Sequence, residues 1–503
     1  MRLEFNFRKK IIIDINDSFF YKKDKVIWWG YPISKINLFE LEGDLSEKLN
    51  QISGYFLYLY YNDNEIIISS DITGGYRLYK YEDESILFLT NNYNLIIDYI
   101  KNSGHLEIDE IQVKFWKKHR YTFGDRTFIK KINKLPPHST FRILKNGKNT
   151  VKSYFKKDLK RKPDKYLHKK LIRKDIIEVF SYLTNVKNEI VILFSGGKDS
   201  VFLVSILKEL KINFKAVFLY AYPEYESNYN DFIRAKEVAD HLDIDFIKVE
   251  VDLEKTKKYL IDNIVNEMFF DKHYSLLHFG GFQKLKDIFT KDTIFINGQS
   301  SDSILSFGPS EKGIGSLLKR IILYSPNWVS FLPKKIFEHK NNLKLKLPKN
   351  KNEKLIAFTD EKEYIFLLND FDLEYIKSIE EYNTSITKDV TELFMKQMLI
   401  KINTFLQGSD NQVAIKAPKY FGFNNVILPF AIPDLIYHTI EYKDNFHEIF
   451  FPKYAVSKEN QLNVLKLKDK NQCTFTNPRI IENEVYDFFD NKLNDIYYEN
   501  FKI

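Results

Sequence analysis

Apolar residues recur along this chain with two periods, and the period changes once. Over residues 1–155 the apolar runs are short and rich in β-branched and aromatic side chains. Ile11–Ile15, Val26–Trp29, Gly54–Tyr61, Glu65–Ser70 and Ile86–Thr90 read as strands. Asn62-Asp63-Asn64 and Thr73-Gly74-Gly75 supply turns between them, while Leu38–Ile52 and Tyr93–Lys101 are spaced as helices. A charged stretch over 156–165, KKDLKRKPDK, then breaks the pattern and reads as a linker. Beyond it helices predicted over Lys170–Leu183, Val201–Leu210 and Tyr229–Leu242 alternate with nearly continuous apolar runs at Glu189–Phe194, Lys215–Tyr220 and Asp245–Val251, with a further run at Thr293–Asn297. Such runs belong to strands covered on both faces, and the alternation predicts a parallel sheet with right-handed crossovers. The clearest late helix is Thr391–Gln407, with Phe394, Met398, Leu399, Ile402 and Leu406 along one side.

The expected fold class is therefore α/β: a strand-rich α+β domain over 1–155, the linker 156–165, and an α/β domain over 166–503 that turns helical toward its end. At 503 residues the chain has room for two or more domains. The net charge of +8 is scattered rather than clustered, which argues against a nucleic-acid face. One cysteine, Cys473, excludes an internal disulfide and fits a reducing compartment. The first residues, Met1-Arg2-Leu3-Glu4-Phe5, lack the apolar core of a signal peptide, and no uncharged apolar run reaches membrane-spanning length. A cytoplasmic protein is expected.

The most informative segment is Ile190–Leu203, IVILFSGGKDSVFL. A buried strand runs into Ser195, Gly196, Gly197, Lys198, Asp199 and Ser200, and a helix follows. The two glycines let the backbone approach a phosphate, the helix start directs N–H groups at it, and both serines can donate. Asp199 beside a phosphate makes sense with Mg2+ between them. The Walker pattern is absent. The segment resembles instead the PP-loop of ATP pyrophosphatases, which grip the β and γ phosphates and transfer AMP. That resemblance puts the adenine pocket near Phe218–Tyr220, where core packing is an equal reading for Phe218 itself.

Further segments are similar to asparagine synthetase and its relatives over most of the chain. Gly54–Tyr61, the hairpin Asp71–Tyr79, Phe88–Asn91 and Thr127–His138 follow the family's order in its amidotransferase domain. Arg234–Ala239, Asn297–Leu305, Met398–Asn403, Leu428-Pro429-Phe430 and Pro452–Val456 follow it in the synthetase domain. The resemblance implies a degenerate Ntn-amidotransferase-like first domain and a PP-loop synthetase domain of the adenine nucleotide α-hydrolase type. It also implies that ATP and Mg2+ are cofactors, that Gly298 lies by the nucleotide, that Asp302 holds Mg2+ with Asp199, and that Lys453 and Asp302 act in catalysis. Asp302 as a helix cap and Lys453 as a solvated surface lysine are the plainer alternatives.

The pattern also breaks. Residue 2 is Arg where glutamine-dependent members carry a nucleophilic cysteine, so a working glutaminase is not expected. Ser300 stands for Gly, Ser303 for the expected Glu, Asn403 for Asp, and Ala431-Ile432 for Leu-Asp. Neither His273 nor His278 joins a metal-ligand cluster, and Glu224 and Glu226 read as a solvated loop. The resulting expectation is an AMP-forming, ATP-dependent amide ligase of the asparagine synthase type. Its partners are a carboxylate-bearing acceptor and ammonia or an amine donor, with nucleic acid and membrane not expected and a homodimer left open. The alternatives are a PP-loop enzyme that modifies a nucleobase or tRNA, and a degenerate ATP-binding scaffold without catalysis.

Overall fold

The computed structural model describes residues 1–456 except 18, 35, 42–44, 46, 104–105, 222–225, 265–274, 308–313 and 342–372. Glu224, His273 and Cys473 lie outside the described residues, and of Glu226 only the backbone is described.

The first part is built on two sheets. Strands β1 (Arg2–Asn6), β2 (Lys10–Asp14), β3 (Phe20–Lys23), β4 (Val26–Gly30), β5 (Phe56–Tyr61), β6 (Glu65–Ser70), β7 (Tyr79–Glu82), β8 (Ile86–Thr90), β9 (Ile132–Lys134), β10 (Ser139–Leu144) and β11 (Asn149–Ser153) pair in the orders β1-β2-β8-β7-β9 and β11-β10-β6-β5-β4-β3. Ile11, Ile13, Leu87 and Leu89 of one sheet share a core with Ile27, Trp29, Leu57, Ile68 and Phe141 of the other. The alternate residues Ile12 and Phe88 point outward under the helix Tyr93–Ser103. This period of two, buried on both sides, explains why these strands read as continuous apolar runs. Of the helix expected over Leu38–Ile52, the described residues form only two 3-10 turns, Leu38–Glu40 and Lys48–Gln51.

The second part holds a five-stranded sheet, parallel at every pairing, in the order β14 (Asp245–Glu250), β13 (Lys215–Tyr220), β12 (Ile190–Leu193), β15 (Ile294–Asn297) and β16 (Val426–Ile427). Ile190 and Ile192 of β12 face one apolar cluster and Val191 the other, so the central strand is covered on both faces. Counted in chain order this is 3-2-1-4-5, and the order reverses between β12 and β15. In open parallel sheets ligands bind at such a reversal, beyond the C-terminal ends of the strands.

Two helices differ from the sequence expectation. The first helix of this part starts at Lys165, inside the expected linker, because the Asp164 carboxylate after Pro163 caps the N–H groups of Tyr166 and Leu167. The expected helix Thr391–Gln407 runs as an α-helix over Leu393–Lys401 and widens into a π-helix over Ile402–Asp410 before Asn411–Tyr420 resumes as α. Asn403 and Thr404 donate to the carbonyls of Leu399 and Ile400, and Gln407 to that of Asn403, so side chains compete with the backbone ladder where it loosens. No described helix is long and apolar enough to cross a membrane.

Candidate active site

The loop after β12 and the loop after β15 face each other, since Leu193 pairs with Asn297 at the strand ends. The helix Lys198–Glu209 begins directly at the first loop, with Gly197 at its N-cap. Only Gly196 of the two loop glycines is left-handed, at φ +66°, and a Cβ there would lie 2.6 Å from Ala235 Cα. Glycine is thus required at 196 both by conformation and by space. Ser195 is exposed, and its hydroxyl accepts the Gly197 N–H at 3.3 Å. Ser200 is buried; its hydroxyl donates to the Gly197 carbonyl at 3.1 Å and lies 3.3 Å from that of Ser195. Lys198 is half-buried in the same turn. Gly298 borders the loop, since a Cβ on it would sit 4.0 Å from Ser200 N.

Lys453 closes the site from the far end of the described chain. Its Nζ lies 2.7 Å from Asp199 Oδ2 and 2.5 Å from Asp302 Oδ1. The lysine is 1% exposed, so it is not a solvated surface residue. Burial pulls its ammonium pKa down, but the two carboxylates outweigh that and hold it above the ordinary lysine value. Its backbone is left-handed at φ +55°, a conformation a lysine holds only when its surroundings enforce it. The buried Ala455 and Val456 anchor the turn that follows.

The second loop departs from the family pattern in a structured way. Ser300, where glycine is expected, sits left-handed at φ +71°, and its hydroxyl donates to Asn411 Oδ1 at 3.0 Å. Ser303 donates to Asp410 Oδ2 at 2.6 Å, and Gln299 Nε2 donates to the other oxygen of Asp410. Asn403 donates to the His138 ring at 2.9 Å; burial holds that imidazole down at about 3 and therefore neutral. Phe218 is buried and its ring packs on Phe232 at 5.6 Å, while Tyr220 at the strand end is half-exposed under Lys248. A cleft of about 580 Å³ opens beside Tyr220, lined by Glu250, Asp252, Lys255 and Lys284, and it includes no residue of the phosphate loop. His278 is half-buried on the helix Leu276–Leu285, and desolvation lowers its pKa to about 4.

The structure thus brings together Ser195, Gly196, Gly197, Lys198, Asp199, Ser200, Gly298, Asp302 and Lys453, and leaves Phe218 in the core. Sequence reasoning missed Gln299, Asp410 and Asn411 as contributors. The polar tetrad Gly408-Ser409-Asp410-Asn411, set inside an apolar helix, was the one signal that could have found the last two.

The donor set suits Mg2+ carried in with a nucleotide. Asp199 Oδ1 is buried with no hydrogen-bond partner among the described residues. Those residues hold no cluster of three or more His, Cys, Asp or Glu able to cage a metal. Mg2+ characteristically takes one or two carboxylates and completes its shell with phosphates and water.

No protein-family model matches the chain. It is 23% identical over 296 residues to the glutamine-hydrolysing asparagine synthetase 1 of Bacillus subtilis (strain 168), covering 55% of this chain and 45% of that one. It is 24% identical over 345 residues to the microcin J25-processing protein McjC of Escherichia coli, covering 63% and 59%. The chain spans about half the length of these relatives. Among solved structures it is similar to the U34-tRNA thiolase NcsA of Methanococcus maripaludis at 15% identity, covering 48% of this chain and 79% of that one, and the TM-score of 0.22 is too low to bear on function. These findings establish a distant link to the PP-loop ATP pyrophosphatase and asparagine-synthetase-like superfamily, and not to asparagine synthetase in particular.

Proposed function

We propose that this chain is a PP-loop enzyme that binds Mg-ATP at Ser195–Ser200 and transfers AMP to an acceptor oxygen. The observation that carries the reading is the pairing of Asp199 and Asp302 through the buried Lys453, opposite a phosphate loop at the reversal point of the sheet. Asp199 and Asp302, together with the nucleotide, would hold Mg2+, whose positive charge would offset that of the departing pyrophosphate. Gly196 and the helix start cradle the phosphates, and Ser195 donates to them. Lys453 keeps a fixed positive charge where negative charge accumulates, and its burial strengthens that interaction. An acceptor oxygen attacks the α phosphorus, the α–β anhydride bond breaks, and pyrophosphate leaves with the electron pair.

For a carboxylate acceptor the product is an acyl adenylate. An amine or ammonia then attacks its carbonyl carbon, loses a proton and displaces AMP. The motif order and the partial match to an asparagine synthetase are what motivate this amide-forming route. The departures at Ser303, Asn403 and Ala431-Ile432 count against aspartate as the acceptor. They leave the wider class better supported than asparagine synthesis, including adenylation of a nucleobase oxygen. In either case the reading assigns the first part a supporting role.

The test is release of pyrophosphate and AMP from Mg-ATP by the purified chain, with Asp199→Ala and Lys453→Met as controls. The acceptors are aspartate with ammonium, aspartate with glutamine, and unmodified tRNA. Both variants are expected to lose at least about 100-fold in turnover, the scale seen when a single transition-state charge donor is removed. Asparagine formation from ammonium would select the ligase route, and AMP formation stimulated by tRNA the nucleobase route. ATP bound without AMP from any acceptor would refute catalysis and leave a scaffold.

A further inference from the structure

A carboxylate is missing from the sequence at position 303 and is present in space beside it. Ser303 is 2% exposed, and its hydroxyl donates to Asp410 Oδ2 at 2.6 Å. Gln299, three residues before Asp302, donates to Asp410 Oδ1. Both oxygens of one carboxylate are therefore held by side chains of the loop that carries Asp302. Asp410 itself is 4% exposed. Burying a carboxylate against neutral donors is costly, and an asparagine could also bond both partners, accepting from Gln299 through its oxygen and donating to the Ser303 hydroxyl through its Nδ2. The nearby cation Lys401 donates its Nζ to the carbonyls of Ser303 and Ser306, at 3.0 and 2.5 Å. It braces the same loop, and its positive charge also acts on Asp410. Burial raises the pKa of Asp410, the bonds from Ser303 and Gln299 lower it, the negative charge of Asp302 raises it and the positive charge of Lys401 lowers it, and the net direction is upward because burial is the largest cause. Asp302 and Asp410 thus feel one another's charge.

The position of Asp410 is made by the chain around it. It ends the π-helix Ile402–Asp410, whose wide turns redirect the residues that follow. The next residue, Asn411, accepts from Ser300 at 3.0 Å and donates to the Thr73 carbonyl of the first part at 3.1 Å. Arg77 of the first part donates to the Gln407 side chain at 3.3 Å and to its carbonyl. The hairpin around Thr73–Arg77 therefore clamps the π segment at two points, and the segment presents Asp410 to the loop.

We propose that Asp410 supplies, from a separate helix, the charge absent at position 303, and that it is a positioning residue orienting Asp302 toward Mg2+ through Ser303 and Gln299. The proposal rests on the Mg-ATP reading above. It assigns the first part a task, holding the π segment in register. It also explains how Ser303 is tolerated. Outer-shell partners of metal ligands commonly change metal affinity by about 10- to 100-fold when removed.

The experiment is calorimetric titration of ATP into the full chain, with Mg2+ and with EDTA, so that no acceptor is needed. The readout is the factor by which Mg2+ strengthens ATP binding. Asp410→Asn, which keeps size and two hydrogen bonds, is expected to reduce that factor at least 10-fold and to leave binding in EDTA within about 2-fold. The double variant Ser303→Glu with Asp410→Ser, which moves the carboxylate to where the family has it, is expected to recover the factor to within about 3-fold of the unaltered protein. A merely structural role would not be rescued by that exchange. An unchanged factor in Asp410→Asn overturns the proposal, and so does a folded double variant (by circular dichroism) that recovers nothing. Should Asp410→Asn fail to fold, the double variant alone decides. Failure of ATP binding in the unaltered protein, or binding indifferent to Mg2+, would instead defeat the PP-loop reading and this proposal with it.

Discussion

Replacing Gly196 with alanine separates two glycines that look equivalent in Ser195-Gly196-Gly197. At φ +66° an L-residue costs about 1–2 kcal/mol relative to its usual conformation. The new methyl would also lie 2.6 Å from Ala235 Cα and 2.8 Å from Ala235 N, both backbone atoms that cannot rotate aside. Overpacking of this kind costs about 1–3 kcal/mol. Gly196→Ala is therefore expected to lose about 2–5 kcal/mol of stability, or to shed part of that by moving the loop off the helix Glu226–His241 and its N–H groups off the phosphate. Gly197 is a control one residue away. A Cβ there meets only the rotatable Ser195 hydroxyl, at 3.2 Å, and alanine narrows the unfolded ensemble, so Gly197→Ala should stay within about 1 kcal/mol. Urea unfolding gives the stabilities and ATP titration the affinities. The expected pattern is a large loss in stability, in ATP affinity or in both for Gly196→Ala, against small changes for Gly197→Ala. Equal behaviour of the two, or the reverse order, would refute the loop geometry and with it the basis of the nucleotide assignment.

Two further outcomes are expected. His138 is buried with its folded pKa near 3, below the unfolded value of 6.5, so its contribution to stability is complete above pH 6.5 and is lost as pH falls toward 3. Between pH 6 and 4.5 the unaltered protein should lose about 1.4 kcal/mol more per pH unit than His138→Gln in denaturant unfolding; parallel pH profiles would disprove this. Ser300→Gly should relieve about 1 kcal/mol of left-handed backbone and forfeit about 1 kcal/mol from the bond to Asn411. Its unfolding midpoint should therefore barely move, and a loss above about 2 kcal/mol would mean that the Ser300–Asn411 bond carries far more than an ordinary hydrogen bond.

What the sequence revealed was local. The run IVILF followed by SGGKDS carries its own strand, turn and helix start, so that unit was legible without any distant contact. Asp302 was singled out through the resemblance of Asn297–Leu305 to a family segment, whereas the parallel sheet followed from runs buried on both faces. Lys453 was balanced against a surface reading because its burial depends on partners 254 and 151 residues away. Asp410 lies beyond the expected helix Thr391–Gln407 and its bond to Ser303 spans 107 residues, so only its place in the run 408–411 marked it. The π widening arises from Asn403, Thr404 and Gln407 turning back on carbonyls, which apolar spacing does not encode. The exposed strand β3 has no buried alternate face to betray it. Phe218 is packed in the core, the reading that its position in a buried strand allowed alongside the nucleotide pocket.

The spread of the site along the chain has a kinetic consequence. Asp199, Asp302, Asp410 and Lys453 meet only after loops of 100 residues or more have closed, and such contacts form late because closure entropy precedes their reward. Until Lys453 arrives, two carboxylates confront each other without their shared cation. A ligand that recognises only the finished arrangement draws the whole population toward it by mass action. Nucleotide and metal ion would then serve this chain as a brace for the last stage of folding, before any chemistry begins.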